Sequence, residues 1–404
     1  LTAPPPRAYP SCLTRRIRPT RPPWLAIHGL ADGAAIGFAA CGAQLGPGAP
    51  GTHDPIGIDP KRRYGNAIAA PLYFSHPSSL EHDTGFGHPE RPERIRAIEA
   101  ELERRGWCGY ERREAPRAAE EQLLAVHPQS HVDSVRRHCE HEAAFDLDTP
   151  TSHGSWEAAL RSAGGACALV EALMAREAPC GVSALRPPGH HAERATAMGF
   201  CLFANVSVAA RYALDSLGAA RVLVLDWDVH HGNGTNAIFH ASPELLFASL
   251  HQWPFYPGTG ELSDSGEGEG LGFSINLPVP GGSGEATWLA LVEHVVVPAA
   301  REFGPDLVLV SAGYDAHRHD PVGGCLLEPE SFAEMARQVR TLADELDAPV
   351  GAVLEGGYDL DALAQSLAAT MEALRDGGEP TSHPPDALTE RAAEHVSRFW
   401  SLAA

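Results

Sequence analysis

Lysine is almost missing from this 404-residue chain: Lys61 is the only one among 31 basic residues. With abundant alanine, glycine and proline, that scarcity reflects a GC-rich coding genome and carries no information about function. No apolar run approaches the roughly 18 residues that a membrane span needs, which excludes a spanning helix. The eight cysteines form no C-x-x-C pair and no tight framework. A disulfide scaffold is therefore excluded, and free thiols in a reducing compartment, the cytoplasm, are expected. Positive charge is also scarce: 31 Lys and Arg against 52 Asp and Glu give a net charge of −21. That argues against sequence-independent nucleic-acid binding. It would suit cationic peptides or polyamines as partners.

The first 70 residues differ from the rest. They hold 8 basic and only 3 acidic residues, and 11 of the 34 prolines. They show no hydrophobic periodicity. A disordered tail, a targeting peptide and upstream sequence translated from a misplaced start all fit. Leu1 in place of Met favours the last or a truncation, and the density of proline opposes an amphipathic transit helix. The expectation is a Pro/Arg-rich extension over 1–69 without ordered structure. Residues 70–404 then form one domain, ending in a short amphipathic helix at about 386–402 anchored by Leu388, Val396, Phe399 and Trp400.

Within that domain, 221–233 read RVLVLDWDVHHGN. The apolar run 222–225 predicts a buried strand, and Asp226, Asp228 and His230 follow at its end. Side chains two apart on an extended chain share a face. Two carboxylates and an imidazole grouped in this way are metal-ligand types. A charged turn that only solvates the strand end would explain one such run, but the pattern recurs. The segment 184–185 leads into RPPGHH, with His190 and His191, and 245–251 ends in Ser249 and His251. LVLVS at 307–311 leads into AGYDAH, with Tyr314, Asp315 and His317. PVGAVL at 349–354 leads into EGGYD, with Tyr358. Helical patterns lie between them at 155–178, 205–217, 286–303 and 330–346. Strand, polar loop, helix, repeated, predicts an α/β domain with a parallel sheet and a site at the carboxyl ends of its strands.

The chemistry follows from the residue types. Asp228 and His230, with Asp315 as third ligand, would bind Zn²⁺, or Fe²⁺ or Co²⁺. A metal-bound water near pKa ~7 is a nucleophile. His190 and His191 supply a general acid and base after the rigid RPPG turn. Asp226 and Asn233 are free to orient the imidazoles. Tyr358, after two glycines, could stabilise an oxyanion. These parts describe metal-assisted hydrolysis of a carbonyl compound, most naturally an amide.

The motifs HDTGFGHPERPERI, RPPGHH, GFCLFANVSVAARYA, DWDVHHGNGT, SLHQWPFYPGTG, SAGYDAHRHDPVGG and LEGGYDL occur in that order over about residues 70–375. The set resembles the histone deacetylase superfamily, closest to its class II and bacterial amidohydrolase branch. The resemblance implies the single-domain arginase–deacetylase fold, with an eight-stranded parallel sheet between helices. It implies zinc on Asp228, His230 and Asp315. It makes His191 the general base and acid, His190 its electrostatic partner paired with Asp226, and Tyr358 the oxyanion donor. The second histidine pairs with Asp in class I relatives; here Asn233 stands in that place, implying a less strongly oriented His191. Potassium is implied at an inner site of Asp226, Asp228, His230, Ser249 and Leu250, and at an outer site of the Phe239, Ser242 and Leu245 carbonyls. An acyl-lysine tunnel is implied beside Gly199, lined by Phe200 and by Phe255 or Tyr256. The substrate would be an acetylated protein, peptide or small amine. Polyamine-selective relatives place Glu where this chain has Val322, which favours acetyl-lysine over acetylpolyamine. A non-catalytic acyl binder would need a broken site, and a two-metal ureohydrolase would need a different carboxylate set. Oligomeric state is left open.

Overall fold

The computed structural model describes residues 69–402; the expected unstructured extension lies, but for its last residue, outside the described residues. Eight strands form one sheet: β1 (Leu72–Ser75), β2 (Glu111–Glu114), β3 (Cys180–Ser183), β4 (Val222–Asp226), β5 (Leu245–Gln252), β6 (Ser274–Val279), β7 (Leu307–Ala312) and β8 (Val350–Leu354). Their order is β2-β1-β3-β8-β7-β4-β5-β6 and every pairing is parallel. The central strands read as unbroken apolar runs because both faces of a parallel sheet are covered. The edge strand β2, ERRE, is largely exposed and charged.

The helices are α1 (Glu93–Arg104), α2 (Glu120–Leu124), α3 (Gln129–His141), α4 (Ser155–Met174), α5 (Asn205–Ser216), α6 (Asn233–Phe239), α7 (Glu285–Leu291), α8 (Val297–Phe303), α9 (Pro329–Leu346), α10 (Leu360–Asp376) and α11 (Ala387–Val396). A π-helical turn, Val292–Val296, joins α7 to α8. Strand alternation sorts the core in two. Leu223, Leu225, Val308 and Val310 face α1 and α7–α11, while Val222, Val224, Leu307 and Leu309 face α2–α6. Trp227 and Trp288 are fully buried on the first side. Truncating either to alanine should cost about 3–5 kcal/mol.

Register brings the strand ends level. Asp226 pairs with Ser249 of β5 on one side and Ser311 of β7 on the other. The chain end follows its expected pattern in part: α11 stops at Val396, and the following turn carries Trp400. That indole packs edge-on to Phe273 and Phe303 and donates to the Gly272 carbonyl at 2.7 Å. Phe399 remains more than a third exposed. The GEGEG segment at 266–270 contains a 3₁₀ turn, Gly268–Gly270, whose Gly270 is buried. The six described cysteines are all buried free thiols. Among the described residues, no helix is long and apolar enough to cross a membrane.

Candidate active site

β4 ends at Asp226, yet side-chain alternation continues beyond it. Trp227 and Val229 enter the core, which turns Asp228 and His230 to the opposite side. Donor atoms of Asp228, His230 and Asp315 converge within 4.8 Å of one another, and all three residues are buried. His230 Nδ1 lies 3.1 Å from Asp228 Oδ1 and 3.0 Å from Asp315 Oδ2. The other oxygens are held by backbone: Asp228 Oδ2 accepts from Gly356 N–H at 2.8 Å, and Asp315 Oδ1 from Val229 N–H at 2.8 Å. Gly356 must be glycine for this approach, since a Cβ there would sit 2.3 Å from Asp315 Oδ2.

The charges are arranged unevenly. Burial would raise the Asp228 carboxyl, but His190 and His230 hold it well below the usual range. Burial, with the adjacent Asp228 charge, pushes Asp315 up to about 7. Two buried carboxylates that resist ionising together are what a bound divalent cation would relieve.

The two histidine rings after RPPG lie with their centres 4.0 Å apart and their planes tilted by 40°. His190 Nδ1 meets Asp226 Oδ2 at 2.9 Å, and His191 Nδ1 meets Asn233 Oδ1 at 2.8 Å. Burial disfavours the cation at both positions. At His190 the Asp228 and Asp226 charges outweigh it and raise the pKa well above the ordinary value. At His191 burial, then the charges of His190 and His230, lower it well below. Adjacent groups pushed in opposite directions are the pattern of a divided acid–base pair.

A cavity of about 320 Å³ opens over this floor, lined by Gly199, Phe200, Phe255, Tyr256, Val322 and Tyr358, with His191 and His230 at its polar end. Both candidates for the second aromatic wall take part: Phe255 stacks on His230 at 5.2 Å and 18°, while Tyr256 meets His191 edge-on at 5.1 Å. Phe200 abuts the Tyr358 ring at 5.6 Å. Burial keeps the Tyr358 phenol protonated well above its ordinary range, so it can donate. Two early candidates lie apart from the cavity. The Tyr314 ring packs on Phe332, and His317 faces Glu328. Of the residues considered for a monovalent cation, Asp226 and Ser249 are register partners, Leu250 turns into the core, and the Phe239 carbonyl accepts from Ser242 N–H at 2.8 Å.

Sequence reasoning assigned no role to several residues that complete the site. Glu355 Oε2 accepts from Gly189 N–H at 2.7 Å and His190 N–H at 3.0 Å, fixing the histidine loop; burial pushes it up to about 7. Buried Glu90 binds Arg94 and Arg186, and Arg94 donates to the carbonyls of Glu355 and Gly357. Asp320 Oδ2 accepts from Tyr358 N–H at 2.6 Å. Pro89 and Asp148 add to the cavity wall. The only advance signal was position within quoted motifs: Glu90 and Arg94 in GHPERPERI, Glu355 in LEGGYDL.

A family model described as "Histone deacetylase domain" matches residues 88–374. Histone deacetylase 5 of Arabidopsis thaliana is 39% identical over 354 residues, covering 80% of this chain and 53% of that protein. The chain thus spans about half the length of that relative. A probable deacetylase of Archaeoglobus fulgidus is 33% identical, covering 78% of this chain and 90% of the relative. The crystal structure of the HDA15 HD domain superposes with a TM-score of 0.77 at 34% identity, covering 83% of this chain and 96% of that one.

Proposed function

Because the chain belongs to the histone deacetylase family, we propose that it hydrolyses N-acetyl amides, foremost acetyl-lysine in proteins or peptides, with zinc as its cofactor. One observation carries the reading: His230, an imidazole with a lowered pKa at His191 and the protonated phenol of Tyr358 line a single apolar-walled cavity, and buried Asp228 and Asp315 converge on His230. Asp228, His230 and Asp315 would hold the zinc, and their donor set fits it, as it would Fe²⁺ or Co²⁺. The bound metal would polarise the amide carbonyl and acidify water.

The chain's own residues supply the rest. Neutral His191 takes a proton from the water that attacks the carbonyl carbon, then returns it to the amine nitrogen as the C–N bond breaks. Acetate and free amine leave. His190, held cationic against Asp226 and Asp228, adds positive charge beneath the reacting oxygens. Tyr358 donates a hydrogen bond to the carbonyl oxygen, which strengthens as charge builds there. Phe200, Phe255 and Tyr256 suit an alkyl chain. Potassium suits the oxygen donors of Asp226, Asp228 and Ser249 with the His230 and Leu250 carbonyls, and the outer carbonyls of Phe239, Ser242 and Leu245.

Asp148 at the cavity favours a second reading, an acetylpolyamine substrate, since its carboxylate could meet a cationic amine; Val322 offers no such charge. Acetate release from acetyl-lysine peptides, acetylputrescine and acetylspermidine, measured side by side, tests both. No release from any of them would overturn the hydrolase reading.

A further inference from the structure

Asn233 touches His191 with one end of its amide and a carboxylate with the other. Its Oδ1 lies 2.8 Å from His191 Nδ1, and its Nδ2 lies 3.0 Å from Glu193 Oε1. We propose that Glu193 is a positioning residue, which fixes the orientation of the Asn233 amide and, through it, the tautomer of His191. The inference rests on the acid–base role given to His191 above.

The argument is one of donors and acceptors. A carboxylate only accepts, whereas an amide has an accepting end and a donating end. With Nδ2 turned to Glu193, Oδ1 must face His191. Because Oδ1 only accepts, the ring hydrogen must sit on Nδ1, and the Nε2 lone pair is left for the substrate side. An aspartate in place of Asn233 would enforce that tautomer unaided. An asparagine enforces it in one orientation and opposes it in the other, so a neighbour must choose. Reversing the amide here would set Oδ1 against the Glu193 carboxylate. The other acceptors near Nδ2, the His191 carbonyl at 3.4 Å and Met198 Sδ at 3.5 Å, are longer and weaker.

The backbone holds both partners in place. Glu193 and Thr196 exchange main-chain hydrogen bonds at 2.9 and 3.4 Å, and Met198 and Cys201 form the next rung at 3.1 and 3.0 Å. On the other side, Gly234 N–H donates to the His190 carbonyl at 2.9 Å. A Cβ on Gly234 would lie 2.3 Å from the Ala192 carbonyl oxygen, so α6 can start against this segment only through a glycine. Asn233, first residue of α6, is thereby set between His191 and Glu193.

Glu193 is partly exposed, so substitutions there should fold. Three variants of the metal-loaded full chain separate the possibilities: Glu193→Gln, which keeps an acceptor; Glu193→Ala, which offers nothing; and Glu193→Lys, which offers only donors. The readouts are the ¹⁵N shifts of the His191 ring, assigned with His191→Gln, and kcat and KM on an acetyl-lysine peptide. Wild type and Glu193→Gln should carry the proton on Nδ1, with kcat within about threefold of each other. Glu193→Ala should show mixed tautomers and an intermediate kcat. Glu193→Lys should move the proton to Nε2 and lower kcat by about 10²-fold, within the range that general acid–base catalysis supplies, with KM little changed. An Nε2–H tautomer in wild type, or equal kcat in all three variants, would overturn the proposal. If wild type hydrolyses no amide while the tautomer still follows residue 193, the hydrolase reading fails and this one stands.

Discussion

The Arg94 guanidinium lies 5.0 Å from the centre of the Tyr358 ring, and its Nε donates at 2.6 Å to the carbonyl of Gly357, the residue just before that tyrosine. One buried cation therefore holds both the phenol and the backbone that presents it, with Glu90 as its counterion. Arg94→Met leaves the Glu355 and Gly357 carbonyls without this donor and removes one of the two arginines that pair with Glu90. Urea unfolding is expected to show a loss of about 3 kcal/mol. A loss below about 0.5 kcal/mol, the size of an ordinary surface change, would contradict this coupling.

Tyr358→Phe removes one donor and little volume. Turnover on the best amide should fall roughly 10²–10³-fold while zinc content stays unchanged. The same loss should appear with every amide cleaved, since in the proposed reaction the phenol meets the carbonyl and not the amine. A kcat within threefold of wild type would place Tyr358 outside the reaction.

Asp228→Ala removes a proposed zinc ligand whose second oxygen also anchors Gly356 N–H. Metal analysis should find zinc lost from this variant, and likewise from Asp315→Ala. Chelation should abolish wild-type activity, with Zn²⁺, Co²⁺ or Fe²⁺ restoring it. One zinc per chain and full activity in Asp228→Ala would sink the assignment.

The opposite shifts of the two histidines predict unequal losses. His191→Ala should cost more than His190→Ala across the pH profile, about 10²–10⁴-fold, because the proposed role has His191 move the proton in both directions. The reverse order would exchange their roles.

A stability effect of pH is expected at His127, which has no part in the proposed reaction. Its Nδ1 donates to the Arg194 carbonyl and its Nε2 accepts from Ala204 N–H, both at 3.0 Å, so only the neutral ring fits. Burial, then the neighbouring His131, lowers its pKa to about 3. The unfolded chain protonates this ring near 6.5, so the folded state is favoured fully above about 6.5 and progressively less as pH falls toward 3. His127→Gln should flatten the dependence of unfolding free energy on pH between 6 and 4 by up to about 1.4 kcal/mol per pH unit. Parallel curves for the two proteins would refute the assignment.

Much of the fold could be read from apolar runs with both faces buried: β4, β5, β7 and β8 are legible for that reason. β2 was not legible, because an exposed edge strand reading ERRE has no apolar pattern to betray it. The same division holds at the site. Asp228, His230 and His191 stand where a strand or a rigid turn ends, which marks them locally. Glu355, Arg94 and Asp320 act through partners 166, 263 and 38 positions away. Their roles depend on which loops meet, and periodicity holds no record of that. Glu193 is close to His191 in sequence but acts on it through Asn233, 40 positions on.

The walls and the floor of the cavity come largely from different parts of the chain. Its floor is pinned by backbone N–H groups just beyond β4 and β8, while Asp148 and Tyr256 sit on two loops that supply none of Asp228, His230 and Asp315; Val322 shares the loop after β7 with Asp315. Under the proposed hydrolase reading, choice among amides is therefore partly separable from the reacting centre. A lineage could exchange the Asp148 and Tyr256 loops and acquire a new diet, leaving the reacting centre in its inherited geometry.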